Sequence, residues 1–417
     1  MAILWERARL QGVPDHGRGL ATSVTRADLA INGGPKIREQ LLPYARQWLA
    51  ADDLAAVLEV LRSDWLTTGP RVAEFERAFA QLVGAREAVA VSSGTAALHT
   101  AMHAAGIGPG NEVLVPVMTF VASANAVVFR GATPVFLDVD PDTLLLDARQ
   151  LEQKITSRTR AIVSVDYAGQ PCDYDRLQAV SRKYGLTLLA DACHALGAEY
   201  KGKRVGSLAD LTVFSFHPAK HITTGEGGMV ATNDPQAAAR MRSFRNHGIT
   251  TDLTQRVRQG TWQYDMAELG YNYRLTDFQC ALGMCQLRKL PSWVARRREI
   301  AQAYDAAFSG SDRVAPLRVS PDVVHSYHLY VIRLGLDQIG APREEIFRAL
   351  RAEGIGVNVH YLPVHLHSFY RRTFGTGPGM FPVAEAGFER ILTLPMFPQM
   401  TDGDVQDVIA GLRKVVG

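Results

Sequence analysis

AVAVSSGTAALHTAMHAAGIGPGNEVLVPV, residues 88–117, decides the fold. Ala88–Val91 is a short apolar run, Ser92-Ser93-Gly94-Thr95 interrupts it, Ala96–Ala105 has helical composition, and Glu112–Val117 is a second apolar run. Strand, turn, helix and strand in that order make a βαβ unit, whose two strands lie parallel in one sheet. The rhythm continues outward. Val121–Phe129 and Tyr174–Tyr184 read as helices; Pro134–Val139, Ala161–Val165, Leu186–Ala190, Leu211–Phe216 and Gly228–Thr232 read as strands. Upstream, an amphipathic helix running to Leu61 and a second over Val72–Leu82 flank the turn-rich Trp65–Pro70. The expected fold class is α/β, a mainly parallel central sheet with helices on both faces.

Past Asn272–Leu290, which reads as one long helix, the pattern changes. Trp293–Phe308 and Arg343–Ala352 read as helices, Tyr327–Leu334 and Gly356–Tyr361 as strands. The expected organisation is an N-terminal extension over residues 1–30, poorly ordered, a large domain over 31–290, and a smaller C-terminal α+β domain over 291–417.

The 417 residues hold 45 Lys+Arg against 42 Asp+Glu, a formal charge of +3 with no run of like charge, which argues against a nucleic-acid tail or a polybasic membrane patch. No run of ~18 apolar residues predicts a membrane span, and Met1–Leu20 is too charged and too broken by Gly and Pro for a signal peptide. A cytoplasmic protein is expected. Cys172, Cys193, Cys280 and Cys285 form no C-x-x-C pair and read as buried small hydrophobes. His360, His365 and His367 have no acidic or Cys partner at ligand spacing, so no metal is expected. Gly106–Gly110 follows a helix rather than a strand and is not a dinucleotide loop.

Of eight lysines, Lys220 stands apart, following an apolar strand in Ser215-Phe216-His217-Pro218-Ala219-Lys220-His221-Ile222-Thr223-Thr224-Gly225-Glu226-Gly227-Gly228. A lysine among apolar groups can lose its proton near neutrality and act as an imine-forming nucleophile, although an isolated lysine is ordinarily surface. Asp191 ends the strand Leu188–Ala190, where an open α/β sheet binds ligands. A carboxylate there suits a protonated pyridine nitrogen; its ordinary role would be a helix cap. Ser92-Ser93-Gly94-Thr95 joins a strand to a helix start, which suits a phosphate or a simple cap. Phe120, just past another strand, suits stacking on a ring or core packing.

Together, S-S-G-T-A-A-L, P-V-M-T-F-V-A-S, D-A-C-H-A-L-G-A, F-S-F-H-x-x-K-x-I-T-T-G-E-G-G and G-Y-N-Y-R-L-T-D resemble the DegT/DnrJ/EryC1/StrS family, from about Ile31 to the C-terminus. The resemblance implies a fold type I pyridoxal-phosphate enzyme, a sugar-nucleotide aminotransferase working by a ping-pong mechanism from L-glutamate. It implies that Lys220 forms the internal aldimine with pyridoxal 5′-phosphate, and that Asp191 pairs with the pyridine nitrogen. Phe120 then stacks on the ring, His194 supports the cofactor, and Gly94, Thr95 and Ser215 bind its phosphate. Asn272 would reach the phosphate of a neighbouring subunit's cofactor, making a homodimer with shared active sites. Ala190 departs from the Glu that many relatives carry before the Asp.

Gly270–Gly283 and Asn358–His365 resemble the transaminases of the pseudaminic acid pathway, which aminate C4 of a UDP-linked 4-keto-6-deoxy-HexNAc. Trp65–Pro70 and Phe214–His217 also resemble the UDP-4-amino-4-deoxy-L-arabinose aminotransferases. The first is the favoured expectation. Thr67, Arg274, His360 and Tyr361 are the candidate substrate contacts. Sugar dehydratases of the family carry His in place of the lysine, and a pyridoxal-phosphate-binding regulator would need a DNA-binding segment; Lys220, and the unpatterned residues 1–30, argue against each.

Overall fold

The computed structural model describes residues 27–251 and 253–417, so the expectation for residues 1–30 lies almost wholly outside the described residues. Strands β1 Glu87–Val91, β2 Glu112–Pro116, β3 Thr133–Leu137, β4 Thr159–Val165, β5 Thr187–Asp191, β6 Leu211–Ser215 and β7 Gly228–Thr232 form one sheet, ordered β1-β7-β6-β5-β4-β2-β3. Only β7 runs against its neighbours; β6, β5, β4, β2 and β3 are mutually parallel, and β1 shares their direction. The carboxyl ends of six strands therefore gather on one edge, where open α/β sheets bind ligands.

Strands covered on both faces must be apolar nearly throughout, and β2 and β7 are buried at every residue. The covering helices include α1 Ala51–Leu61, α2 Pro70–Val83, α3 Gly94–Ala104, α4 Ala122–Phe129, α5 Tyr174–Tyr184 and α6 Pro235–Phe244. Pro70 starts α2 with a preset φ, and Gly84 ends it at φ 73°, in the left-handed region that glycine enters freely. Phe79 of α2 packs edge-on against Phe214 and Phe216, ring centroids 5.1 and 5.6 Å away, behind the strand that presents Ser215. Such pairs add about 1 kcal/mol each beyond their buried area.

Three elements differ from the sequence expectation. The helices expected on either side of Pro291 are one helix, α7 Asp277–Phe308, 32 residues long. Pro291 cannot donate to the Leu287 carbonyl, which ordinarily breaks a helix, but Leu287, Leu290, Trp293 and Val294 are all buried on the main core, and that packing carries the helix through. Its start is Asp277 rather than Asn272, because Thr276 caps it: the Gln279 side chain accepts the Thr276 N–H at 3.2 Å and the Thr276 hydroxyl at 2.7 Å. The second difference is Gly356–Tyr361, which is no strand and touches the sheet only through an Asn358–Thr393 bridge. The Asn358 side chain takes the Val359 N–H at 2.9 Å, competing with ladder pairing.

β8 Val314–Pro316, β9 Tyr330–Leu334 and β10 Ile391–Leu394 form a small antiparallel sheet. A second core lies between it, the last turns of α7 (Ile300, Tyr304, Phe308), α8 Arg343–Ala352 and α9 Asp402–Val416. The strand expected from Tyr327 begins only at Tyr330, since Tyr327 takes φ 50°. Among the described residues no helix is long and apolar enough to cross a membrane.

Candidate active site

Asp191 closes β5 at 7% exposure. Its Oδ2 accepts from Ser123 Oγ at 2.6 Å and its Oδ1 from the Cys193 N–H at 3.2 Å. Bonds of this kind hold the carboxyl group in one orientation. Ser123 lies in the first turn of α4 and Phe120 two residues before that helix, so the one P-V-M-T-F-V-A-S stretch after β2 both orients the acid and presents the ring. That ring is 55% exposed and 5.8 Å from the ring of Tyr361.

Lys220 follows β6 and is half-buried. Burial lowers the affinity of its amine for a proton, partly opposed by Cys193 and Asp191. Nζ lies 3.4 Å from Nε2 of His328. Burial, then the charge of Lys220, holds the His328 imidazole well below its usual range, so the ring is neutral and can accept from the amine.

α3 opens the third side. Ser93 caps it, its Oγ accepting the Ala96 N–H at 3.1 Å and its carbonyl the Ala97 N–H, which leaves Gly94 and Thr95 at the positive end of the helix. A Cβ on Gly94 would stand 2.9 Å from Ser215 Cβ, and one on Gly228 would stand 2.4 Å from the Ser93 carbonyl oxygen. Only glycine permits this approach of two strand ends to a helix start. Free N–H groups and a serine hydroxyl there suit an anion, a buried carboxylate suits a ring N–H⁺, and a lysine of lowered basicity suits an aldehyde. The residues fit pyridoxal phosphate.

His194 and Tyr361 meet through His194 Nε2 and the Tyr361 hydroxyl, 3.0 Å apart. His360, pushed to about 3 by burial, bonds Thr393 Oγ1 at 2.9 Å through Nδ1. Thus Lys220, Asp191, Phe120, His194 and Tyr361 converge, Gly94, Thr95 and Ser215 form an adjoining cup, and His360 backs the pocket. Three of the expected residues lie apart. Thr67 is exposed and bonded only to its neighbour Thr68, Arg274 donates to Asn246 Oδ1 at 2.7 Å, and Asn272 is exposed on a bridge to Asn246.

Sequence reading missed His328, Ser123 and Arg297. Arg297 is fully buried and donates to the carbonyls of Tyr327, His328 and Met396 at 3.1, 3.3 and 3.0 Å, thereby fixing the loop that carries His328. A His-Ser-Tyr-His run just before a strand was the available signal for the loop; nothing in Arg296-Arg297-Arg298 marks which arginine turns inward.

Fold and site together define a fold type I pyridoxal-phosphate enzyme. The profile of the DegT/DnrJ/EryC1/StrS aminotransferase family matches residues 47–413. The spore coat polysaccharide biosynthesis protein SpsC of Bacillus subtilis is 42% identical over 381 residues, 91% of this chain and 98% of that one. Two solved structures are each 35% identical over 90% of this chain. Spr1654 of Streptococcus pneumoniae, in its PMP form, has a TM-score of 0.85 over 98% of its chain. PseC of Helicobacter pylori, an aminotransferase involved in the biosynthesis of pseudoaminic acid, has a TM-score of 0.84 over 99% of its chain. This chain therefore belongs to the DegT/DnrJ/EryC1/StrS family and is a pyridoxal-phosphate-dependent sugar aminotransferase.

Proposed function

We propose that this enzyme moves the amino group of L-glutamate to the 4-keto carbon of a UDP-linked 4-keto-6-deoxy-HexNAc. The carrying observation is the half-buried amine of Lys220 beside neutral His328, on the sheet edge that also presents buried Asp191 and the open start of α3. Bound pyridoxal phosphate supplies an electron sink that lets a C–H bond beside nitrogen release its proton.

The chain's own residues do the rest. Lys220 is the covalent anchor, and once displaced its Nζ carries the proton between substrate carbon and cofactor, as general base and then general acid. Asp191 holds a proton on the ring nitrogen, Phe120 covers the ring, and Gly94, Thr95 and Ser215 receive the phosphate. Tyr361 faces the sugar with His360 supporting it from behind, and Thr67 and Arg274 are outer contacts.

The substrate assignment rests on Gly270–Gly283 and Asn358–His365 and on the likeness to PseC. The higher identity to SpsC favours one second reading, a different nucleotide-linked 4-keto sugar destined for a surface polysaccharide. A 4-amino-4-deoxy-L-arabinose product is the form of it suggested by Trp65–Pro70.

The active unit in this proposal is a homodimer. The segment leading to Asn272 exposes Val257, Trp262, Tyr264, Met266 and Leu269, apolar surface that a monomer ordinarily hides. A second copy laid on it would bring Asn272 to the other subunit's phosphate cup. Residues 31–290 serve as the cofactor domain and 291–417 as the domain that carries the sugar-facing loops. Four unpaired thiols fit a reducing, cytoplasmic setting.

The test uses holoenzyme with ¹⁵N-labelled L-glutamate and a panel of UDP- and dTDP-4-keto sugars, with products followed by mass spectrometry. Label appearing in the 4-amino-6-deoxy-HexNAc product with the highest kcat/KM supports the assignment. Preference for a pentose or a dTDP sugar would replace it with the second reading.

A further inference from the structure

Asp166 plays no part in the scheme above, yet it is fully buried one strand from Asp191. It follows β4, whose last residue, Val165, pairs with Asp191, and its own N–H donates to the Asp191 carbonyl at 3.1 Å. Oδ1 of Asp166 accepts the Cys172 N–H at 2.9 Å and Oδ2 the Tyr174 hydroxyl at 2.7 Å. The two bonds close the short excursion between β4 and α5.

That excursion is tightly specified. Ala168 sits at φ 59°, and Gly169, at φ 105°, has no room for a side chain: a Cβ would stand 2.8 Å from both the His194 carbonyl oxygen and Ser326 Oγ. The Ala168 carbonyl accepts the Leu329 N–H and the Gly169 carbonyl the Ser326 N–H, each at 3.1 Å, so the turn also holds the loop carrying His328.

The Ala168 N–H points at His194 Nδ1, 3.3 Å away. A backbone N–H can only donate, so Nδ1 must be the unprotonated nitrogen of a neutral ring. The proton is then on Nε2, which donates to the Tyr361 hydroxyl oxygen at 3.0 Å. With its oxygen already accepting, Tyr361 keeps its own proton for another acceptor. Reversing the His194 tautomer would reverse this, leaving Tyr361 to donate to His194 and offer the pocket only lone pairs.

We infer that Asp166 is a positioning residue: by closing the 167–172 turn it aims the Ala168 N–H at His194, fixes that ring's tautomer, and makes the Tyr361 hydroxyl a hydrogen-bond donor to an oxygen of the bound cofactor or sugar. The direction of the bonds stands on the geometry alone; the identity of the acceptor rests on the proposed function.

The experiment reads the tautomer directly. Full-length protein labelled with ¹⁵N-histidine, without added cofactor or sugar, is examined by long-range ¹H–¹⁵N correlation, and the His194 signals are identified by their loss in His194→Gln. Wild type is expected to show a bare Nδ1 and a protonated Nε2. Asp166→Asn, which retains the acceptor for Cys172, is expected to do the same. Asp166→Ala is expected to show both tautomers, and in the holoenzyme a kcat lower by roughly tenfold with KM for the keto sugar changed much less. A proton on Nδ1 in wild type, or a single unchanged tautomer in Asp166→Ala, would overturn the inference. Should Asp166→Ala fail to fold, Tyr361→Phe reads the same arrangement from its other end. Retention of Nε2–H there supports control from Ala168, and a switch to Nδ1–H contradicts it. Because the spectra need neither cofactor nor sugar, a wrong substrate assignment would leave their result standing.

Discussion

The two halves of the proposed active site are built by opposite strategies. The wall from the large sheet is made of short motifs at strand ends: Ser93–Thr95 after β1, Phe120 after β2, Asp191 at the end of β5, Ser215 at the end of β6, and Lys220 beyond it. Each is placed by its own strand. The wall from the C-terminal part of the chain, His328, His360 and Tyr361, sits on irregular backbone held from far away in the chain. Arg297 of α7 grips the Tyr327 and His328 carbonyls, Thr393 of β10 fixes His360, and Tyr167 donates its hydroxyl to the His360 carbonyl. A wall built locally should lose chemistry without losing structure when one residue changes, whereas a wall held from a distance should lose both.

The sharpest break of that comparison is Lys220→Ala. Amino transfer should fall by roughly 10⁴-fold, because anchor and proton carrier vanish together, while the melting temperature of the cofactor-free protein stays near wild type. Asp191→Asn should cost roughly 10²-fold in kcat with the cofactor still bound, as judged by its absorption, since only the charge beside the ring nitrogen is removed. On the other wall, Arg297→Met should cost about 3 kcal/mol in denaturant unfolding by leaving three buried carbonyls without donors, and activity should drop with it as His328 drifts from Lys220. A variant that lost activity at full stability would show that the loop needs no such anchor.

Asp166 sharpens the contrast through pH. Burial pushes its carboxyl up to about 7, well above its ordinary value. A raised folded-state value means that the stabilisation is complete below the unfolded value near 4 and is lost as pH rises through about 7. Wild type should therefore lose on the order of 4 kcal/mol relative to Asp166→Asn between those limits, read as diverging melting temperatures. Parallel curves would count against burial as the cause. The smallest effect is expected for Thr67→Val, an exposed residue whose backbone carbonyl accepts the Thr68 hydroxyl and would go on doing so: below about 0.5 kcal/mol in stability, with any change confined to KM for the sugar.

The same division decides what the sequence could tell. Apolar runs and glycine-bearing turns located the sheet and the strand ends that carry Gly94, Thr95, Phe120, Asp191 and Lys220, because period and turn chemistry are local; Ser215 was singled out only through the family resemblance. Pro291 misled because helix continuity there depends on burial of Leu287 and Trp293 against another part of the chain. Gly356–Tyr361 has strand-like composition, yet Asn358 bonds its neighbour's N–H. His328 was invisible beside Lys220 because 108 residues separate them. Asp166 gave no signal at all: a carboxylate after a strand looks alike whether it meets a ligand or, as here, Cys172 and Tyr174.

The central claim is that Lys220 is the covalent anchor of an aminotransferase, and borohydride reduction of the holoenzyme followed by peptide mass mapping tests it most directly. The account predicts a pyridoxyl phosphate adduct on Lys220, and its disappearance when L-glutamate is added before the reductant. An adduct on another lysine, or one untouched by glutamate, would contradict it.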